Sequence, residues 1–164
     1  MYYDVTGVRG VADAKNRPVS EDLGAIIQFA GTRPSHAALP AAYFANVLRM
    51  AHSLGQVHVF YNDFGQCMGY VVWALLVPDV ERRILRTGRI ELRDFEWNEG
   101  PSLWITDFAV QPESLRPAMA YMRDELFAGH DTVTFGRFRK GKLTLKRASR
   151  NSTSAFWAMG RAAQ

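Results

Sequence analysis

The chain has 164 residues and a formal net charge of +4 at pH 7, and 48% of its residues are hydrophobic, 22% charged and 12% aromatic. This composition predicts one globular domain around a single core and excludes a disordered chain, while the longest apolar run, residues 70–77, is too short to cross a bilayer. The single cysteine, Cys67, excludes an internal disulfide and a zinc site built from several cysteines.

Residues 1–19 are polar and mixed, and they predict an irregular N-terminal arm. They lack the basic segment followed by an apolar segment that marks a secretory signal peptide, so a cytoplasmic location is expected. We expect the folded domain over residues 20–150 and a C-terminal tail over residues 151–164.

Two helices are predicted to open the domain. Ser20 is the expected N-cap of the first helix, whose apolar residues recur at helical spacing up to Gly31. The loop TRPSHAALP follows, and Pro40 suits the first turn of a second helix that ends before Gly55. The apolar residues that indicate the first helix are Leu23, Ile26, Ile27 and Ala30, and those of the second are Tyr43, Phe44, Val47, Leu48 and Ala51.

The rest of the domain alternates strands and helices. Residues 56–61 and 66–77 predict two strands joined by the turn NDFG, and the second strand is apolar on both faces, which is typical of a strand covered on both sides. The remaining predicted elements are a short helix at 78–85, a charged loop at 86–100, a strand at 102–110, a helix at 114–127 and a hairpin of strands at 132–138 and 142–146. We therefore expect an α/β (α+β layered) fold, in which helices cover a mixed central sheet.

Asp107 is unusual because it lies within a strand that is otherwise apolar on both faces. Strict alternation puts it on the face of Leu103, Ile105 and Ala109. A buried carboxylate is costly unless a cation, a histidine or several hydrogen-bond donors meet it. Asp107 is therefore either a functional carboxylate or one that backbone amides satisfy near the end of the strand.

His36 is the second candidate, because a proline-flanked loop between two helices can present a side chain to a cleft. The alternative is an exposed surface histidine without a function. His52 on a helix and His58 on a strand are expected to be structural, and His130 is expected at the surface. The four histidines show no metal-binding spacing, and Cys67 is expected to be a packed thiol in its strand.

Several enzyme classes lack their motifs in this chain. The sequence contains no GxGxxG, no GxxxxGK[ST] and no GxSxG, which argues against dinucleotide, nucleoside-triphosphate and serine-hydrolase chemistry. The residues alone thus predict an α/β domain with one unusual aspartate.

The positive charge is concentrated near the C-terminus. Residues 130–164 hold eight of the 20 lysines and arginines but only one of the 16 acidic residues. Such a segment favours an acidic partner, which would be nucleic acid, a membrane surface or an acidic protein, or it is a solvated tail that aids solubility.

Four segments, in order, resemble the RTX toxin-activating lysine acyltransferases, the hemolysin-activating family. LGAIIQFAGTRPSH resembles the family's first helix and the loop that ends in Pro-x-His, and PAAYFANVL resembles its next helix. MGYVVWALL resembles the strand (I/V)-(A/G)-Y-x-x-W-A, and WNEGPSLWITD resembles the segment W-x-x-G-x-x-x-W-x-x-D. The resemblance is clear from about residue 23 to residue 107 and looser to about residue 147.

The resemblance implies a fold like that of the GNAT acyltransferases, and transfer of a fatty acyl group from acyl carrier protein to internal lysines of a protoxin. The family's essential histidine and aspartate match His36 and Asp107. His36 is then the expected general base and Asp107 the residue that orients it.

The partners follow from the same resemblance. No bound cofactor is expected, since the acyl donor is acyl carrier protein, and this acidic protein is expected to bind Arg137, Arg139 and Lys140. We also expect a homodimer. We do not expect the chain to bind nucleic acid or a metal ion, or to insert stably into a membrane.

Two segments depart from the family pattern. Residues 28–33 replace the family's W-L-W-x-x-S, so Arg33 stands where the family has a serine before the proline. Residues 109–112, Ala-Val-Gln-Pro, replace the family's Ile-Ala-Pro-Phe. Both departures bear on the acyl-chain pocket and the acceptor more than on the type of reaction.

Two other functions remain open. One is an acyl-CoA-dependent N-acyltransferase that acts on a small amine or a ribosomal peptide, and comparison of the two donors would discriminate it. The other is a non-catalytic basic adaptor for nucleic acid or membrane, whose binding would fall steeply with salt and would not need His36. The missing glycine-rich pyrophosphate loop favours a carrier-protein donor over coenzyme A.

Overall fold

The computed structural model describes residues 18–139 and 142–150, and at residues 138, 139 and 142 the backbone alone. The strands are β1 (Val57–Tyr61), β2 (Cys67–Leu76), β3 (Ser102–Val110), β4 (Thr132–Arg139) and β5 (Lys142–Ser149). The helices are α1 (Val19–Gly31), α2 (residues 43–53), α3 (Pro78–Thr87) and α4 (residues 112–126), and a 3-10 turn (Asp94–Trp97) lies in the predicted loop after α3. Nearly all of the predicted N-terminal arm and the whole predicted C-terminal tail lie outside the described residues.

Two of the helices change their winding along their length. α2 begins as a π-helix (Tyr43–Leu48) and continues as an α-helix (Arg49–Ser53). α4 combines a 3-10 turn (Pro112–Ser114), an α-helix (Leu115–Tyr121) and a π-helix (Met122–Leu126). π-helical turns are rare in proteins, and those that occur are often found at functional sites. The first residue of the π-helical part of α2, Tyr43, is one of the residues that position the candidate site below.

The five strands form one mixed sheet in the order β1-β2-β3-β4-β5. Neighbouring strands are antiparallel except β3 and β4, which are parallel because α4 connects them. These two strands pair only at Trp104–Thr134 and Ile105–Phe135, although both continue beyond those pairs. The predicted α/β fold, with a mixed central sheet covered by helices, is confirmed.

Each face of the sheet carries its own apolar cluster. α1, α2 and α3 pack on one face, and α4 packs on the other. β2 contributes to both clusters, so the prediction that this strand is covered on both sides is confirmed. Its buried residues on the α1 face are Tyr70, Val72, Ala74 and Leu76, and Val71 lies on the α4 face.

A β-bulge in β3 reverses the expected side of Asp107. The β2–β3 register shifts by one residue just before Asp107, so Thr106 is an extra residue in its strand. Leu103 and Ile105 pack in the cluster on the α4 face, whereas Trp104 packs on the α1 face. Beyond the bulge Asp107 also lies on the α1 face. The expectation that Asp107 shares a face with Leu103 and Ile105 is therefore wrong, because alternation restarts after the extra residue.

Within the part of the chain that the structure describes, no helix has the length and apolar character needed to cross a membrane.

Candidate active site

His36 and Asp107 lie 71 residues apart in sequence and are in hydrogen-bond contact. Nε2 of His36 lies 3.0 Å from Oδ1 of Asp107, and the two side chains are 16% and 15% exposed. A tight turn after α1 places His36, because the backbone N–H groups of His36 and Ala37 both donate to the carbonyl oxygen of Arg33. The bulge at Thr106 places Asp107 on the same side of the sheet.

Two tyrosine hydroxyl groups hold the other carboxylate oxygen. Tyr43 and Tyr70 donate to Oδ2 of Asp107 at 2.5 Å and 2.8 Å. Burial, followed by the negative charge of Asp107 and the hydrogen bond to it, raises the pKa of both phenols well above the ordinary value. Both hydroxyl groups therefore remain protonated donors, and Asp107 is held with Oδ1 toward His36.

The two ring nitrogens of His36 have different partners. Nε2 faces the carboxylate, and Nδ1 lies 2.7 Å from the hydroxyl oxygen of Ser35. The tautomer that suits this arrangement carries the proton on Nε2, which donates to Asp107, and accepts the Ser35 hydroxyl at Nδ1. Nδ1 is then the nitrogen that can accept a proton from a substrate.

The environment of His36 favours its protonated form. The hydrogen bond to Asp107 is the largest cause that raises the pKa of His36 above its ordinary value, and the charge of Asp107 adds to it. Burial and the positive charge of Arg33 lower the pKa and offset part of this rise. His36 is therefore a stronger base than a free imidazole.

Arg33 connects the loop of His36 to the end of β3. One guanidinium nitrogen, Nη2, donates to the carbonyl oxygen of Val110 at 3.0 Å and to Oε1 of Gln111 at 2.7 Å. The guanidinium also stacks on Phe29, 4.9 Å from the ring centre. Arg33 and Gln111 are both positions at which the sequence departs from the family pattern, and the structure brings them together.

An apolar groove of about 470 Å³ runs beside His36 between α1 and the start of α2. Its residues are Leu23, Ile27, Gly31, His36, Ala37, Leu39, Ala41, Phe44 and Ala45. Ile27 belongs to the apolar spacing that predicted α1, but it is 47% exposed and lines the groove. A larger cavity of about 590 Å³ is lined mainly by charged residues at the end of α3 and in the loop that follows, and it includes none of the predicted site residues.

Of the three predicted basic residues, only Arg137 has a described side chain, and that side chain lies beside Phe135 rather than at His36 and Asp107. Arg137 is exposed, and its guanidinium lies 5.9 Å from the ring centre of Phe135, which packs on the α4 face of the sheet. The side chain of Arg139 and all of Lys140 lie outside the described residues.

The other histidines and the cysteine lie away from this contact. His52 pairs with Asp22 at 3.0 Å, and His58 is buried and stacked on Tyr121. Burial raises the pKa of the Cys67 thiol to about 11, so the packed thiol remains protonated. His130 is half-buried rather than fully exposed, and its carbonyl oxygen accepts a hydrogen bond from Arg150. Among the described residues no group of three or more His, Cys, Asp and Glu side chains could hold a metal ion.

Sequence reasoning missed the residues that support the pair. Tyr43 was counted only as an apolar position of the second helix, and Tyr70 only as part of an apolar strand face. Both carry a hydroxyl group that needs a partner when buried, and a buried carboxylate needs donors, so these two requirements could have been matched.

The sequence matches a known protein family. The model of the RTX toxin acyltransferase family matches residues 15–157, which include His36 and Asp107 and most of the chain. No curated protein matches the chain.

Proposed function

This chain belongs to the RTX toxin acyltransferase family, and we propose that it transfers a fatty acyl group from acyl carrier protein to lysines of a protoxin. The family makes it an acyltransferase of the kind that activates RTX toxins. The donor, the lysine acceptor and the roles of His36 and Asp107 are our proposal. The observation that carries it is the 3.0 Å contact between Nε2 of His36 and Oδ1 of Asp107 beside an apolar groove.

The acceptor explains why a base is needed. A lysine amine with a pKa near 10.4 is neutral in only about one molecule in 2,500 at pH 7. In the proposed reaction Nδ1 of His36 takes a proton from the lysine amine while the amine nitrogen attacks the thioester carbonyl. The C–N bond forms, the C–S bond breaks, and the thiol leaves after it takes up the proton. Asp107 stabilises the imidazolium that forms in between.

The groove supports a fatty acyl donor. It is lined mainly by apolar side chains and is continuous with His36, so an acyl chain could lie along α1 with its carbonyl carbon beside Nδ1. From Gly31 to Leu23 the helix rises about 12 Å. An extended chain advances about 1.2 Å per bond, so roughly ten bonds fit along this wall.

The geometry of the sheet favours an acyl donor whose thioester is carried on a long, narrow arm. Pairing between β3 and β4 ends at Ile105–Phe135, next to the segment that carries Asp107. An extended arm with amide groups can pair with strand edges of this kind. The phosphopantetheine arm of acyl carrier protein and that of acyl-CoA share this chemistry, so the arm by itself does not select between them. The basic C-terminal segment favours the acidic carrier protein.

Acyl transfer from purified donors to a lysine peptide tests the proposal. His36→Ala should lower kcat by about 10²–10⁴-fold, since that is the usual contribution of a positioned base. His130→Ala is the matched control and should retain activity. Near-normal turnover by a folded His36→Ala protein would show that His36 is not the base, and faster turnover with acyl-CoA than with acyl carrier protein would assign the donor differently.

Charge reversal tests docking of the carrier. Arg137→Glu should raise KM for acyl carrier protein at low salt, and the effect should shrink at high salt because ions screen the attraction. Arg86→Glu changes the same charge at an exposed position of α3 and serves as the control. An unchanged KM at low salt would remove Arg137 from the docking surface.

A further inference from the structure

Arg33 contacts both segments that carry the proposed catalytic pair. Its carbonyl oxygen accepts the backbone N–H groups of His36 at 2.9 Å and Ala37 at 2.8 Å. Its guanidinium donates to Val110 and Gln111, which end and follow the strand of Asp107. One residue therefore ties the loop of His36 and the end of β3 together through its backbone on one side and its side chain on the other.

Burial of the Arg33 guanidinium carries a free-energy cost. The guanidinium lies against the ring of Phe29, and its Nε is buried without a hydrogen-bond partner among the described residues. A buried donor that lacks a hydrogen-bond partner destabilises the folded state. A smaller neutral side chain would avoid this cost, so packing alone does not explain an arginine here.

We propose that Arg33, through its hydrogen bonds to Val110 and Gln111, is a positioning residue that holds His36 at the correct distance from Asp107. We call this set of contacts the Arg33 bridge. The inference rests on the proposed function, in which His36 is the base. The planar guanidinium suits the task because its donors are fixed relative to each other, unlike those of a lysine.

The bridge also changes the basicity of His36. The groups that face His36 are Asp107 from β3, the ring of Tyr70 from β2 at 6.1 Å between ring centres, and Ser35 and Arg33 from its own loop. Among these, the charge of Arg33 lowers the pKa of His36, against the effect of Asp107. More of the imidazole is then unprotonated, as a general base must be, at a given pH.

The two departures from the family pattern have a common explanation in this bridge. Oε1 of Gln111 accepts a hydrogen bond from Arg33, and a proline at that position would offer no side-chain acceptor. Loss of either partner should therefore weaken the same contact. The two substitutions should be strongly non-additive in kcat, since they remove one interaction.

Three variants distinguish the effect of the hydrogen bonds of Arg33 from the effect of its charge. Arg33→Met removes the hydrogen bonds and the charge, and Arg33→Lys keeps the charge but lacks the planar guanidinium. Gln111→Leu keeps Arg33 but removes one of its two acceptors. Arg49→Met removes an exposed arginine of α2, whose Nε bonds only within its own helix, and is the control. For each variant we would measure kcat, KM, the melting temperature, and the pKa of His36 by NMR titration.

The expected pattern is specific. Arg33→Met should lower kcat by about ten- to a hundredfold, with a smaller change in KM, because misplacement by about 1 Å has effects of this size. Two opposite changes act on the pKa of His36 in this variant, since loss of the arginine charge raises the pKa and a weaker contact with Asp107 lowers it. Arg33→Lys and Gln111→Leu keep the positive charge but weaken the bridge, so they should lower both kcat and the pKa of His36, because the hydrogen bond to Asp107 is the largest cause that raises this pKa. Arg49→Met should change neither quantity.

A melting temperature that falls while kcat and the pKa of His36 stay unchanged would make Arg33 structural and overturn the inference. Arg33→Lys preserves volume and charge, so it decides the question if Arg33→Met fails to fold. The His36 titration does not need an active enzyme. If no acyl transfer occurs in the parent protein, the proposed function fails, while an unchanged His36 pKa in Arg33→Lys would separately refute the bridge.

Discussion

Tyr43 of α2 and Tyr70 of β2 donate to the same oxygen of Asp107. The carboxylate therefore cannot rotate without breaking two hydrogen bonds at once, and its second oxygen remains available to His36. The pair is held from three elements: the loop after α1, the start of α2 and the middle of the sheet.

Removal of one tyrosine hydroxyl should loosen the pair in a measurable way. Tyr43→Phe or Tyr70→Phe alone should lower kcat several-fold, because the remaining hydroxyl still holds Oδ2. The double variant should lose more than the product of the two single losses, since the carboxylate then lacks both donors. Tyr121→Phe, on the opposite face of the sheet, is the control and should retain kcat. Equal and independent losses would contradict the shared role.

Asp107→Asn should change the pH dependence of activity as well as its size. The hydrogen bond and charge of Asp107 raise the pKa of His36, so their loss should lower it. The acid limb of kcat/KM against pH should therefore move to lower pH, while kcat at neutral pH falls by up to about 10⁴-fold. Asp79→Asn at an exposed position of α3 is the control. An acid limb that moves to higher pH would contradict the assigned contact.

Ser35→Ala should have little effect on turnover. The Ser35 hydroxyl group occupies Nδ1 of His36 in the free protein, and the substrate amine is expected to take its place. We therefore expect kcat to change by less than about fivefold, since an exposed neutral hydrogen bond contributes about 1 kcal/mol. A loss of a hundredfold or more, with Ser35→Thr retaining activity, would instead mean that the hydroxyl relays the proton to Nδ1.

Gly31→Leu should shift the preference toward shorter acyl chains. A Cβ at Gly31 meets no atom within 4 Å, so the new side chain can enter the groove without disturbing the fold. Displacement of two methylene groups of a long acyl chain would cost about 1.6 kcal/mol, which is roughly tenfold in KM. Gly24→Leu lies on the same helix, also in open space and outside the groove, and should leave the preference unchanged. Identical chain-length profiles for the two variants would show that the acyl chain binds elsewhere.

His58 should make the fold sensitive to acid. Burial lowers its pKa from 6.5 to about 4, and its Nε2 has no hydrogen-bond partner among the described residues. The unfolded chain takes up a proton as the pH falls below 6.5, whereas the folded protein does so only near 4. The free energy of unfolding should therefore fall between these values, by about 3 kcal/mol in all. His58→Phe should remove most of this dependence in urea unfolding at pH 7 and pH 4.5, and an unchanged difference would contradict the prediction.

Local patterns predicted most of the elements in this chain. β3 is found at the predicted residues, and α1 begins at Val19, one residue before the predicted cap, because Pro18 takes the N-cap position. These elements follow from spacing and from turn residues that act on their neighbours. Helical spacing identified Ile27 as an apolar position of α1, but it does not distinguish a core face from a groove.

The site itself depends on contacts that no local pattern encodes. His36 and Asp107 were joined in the sequence by resemblance to a family, since 71 residues separate them. Tyr43 and Arg33 reach their partners only after α1, α2 and the sheet have packed together. Periodicity reports which residues are buried, but it carries no information about which polar groups meet.

The extra residue Thr106 means that two ways of matching this strand to another protein disagree. An alignment that counts residues along the strand and an alignment that follows the pairing with β2 differ by one position from Asp107 onward. If β3 were built residue for residue into a regular sheet, the Asp107 carboxylate would lie on the opposite face of the sheet from His36. Deletion of Thr106, by contrast, should leave Asp107 opposite Val72 on the α1 face, since the residue that follows Ile105 in a regular strand faces that side.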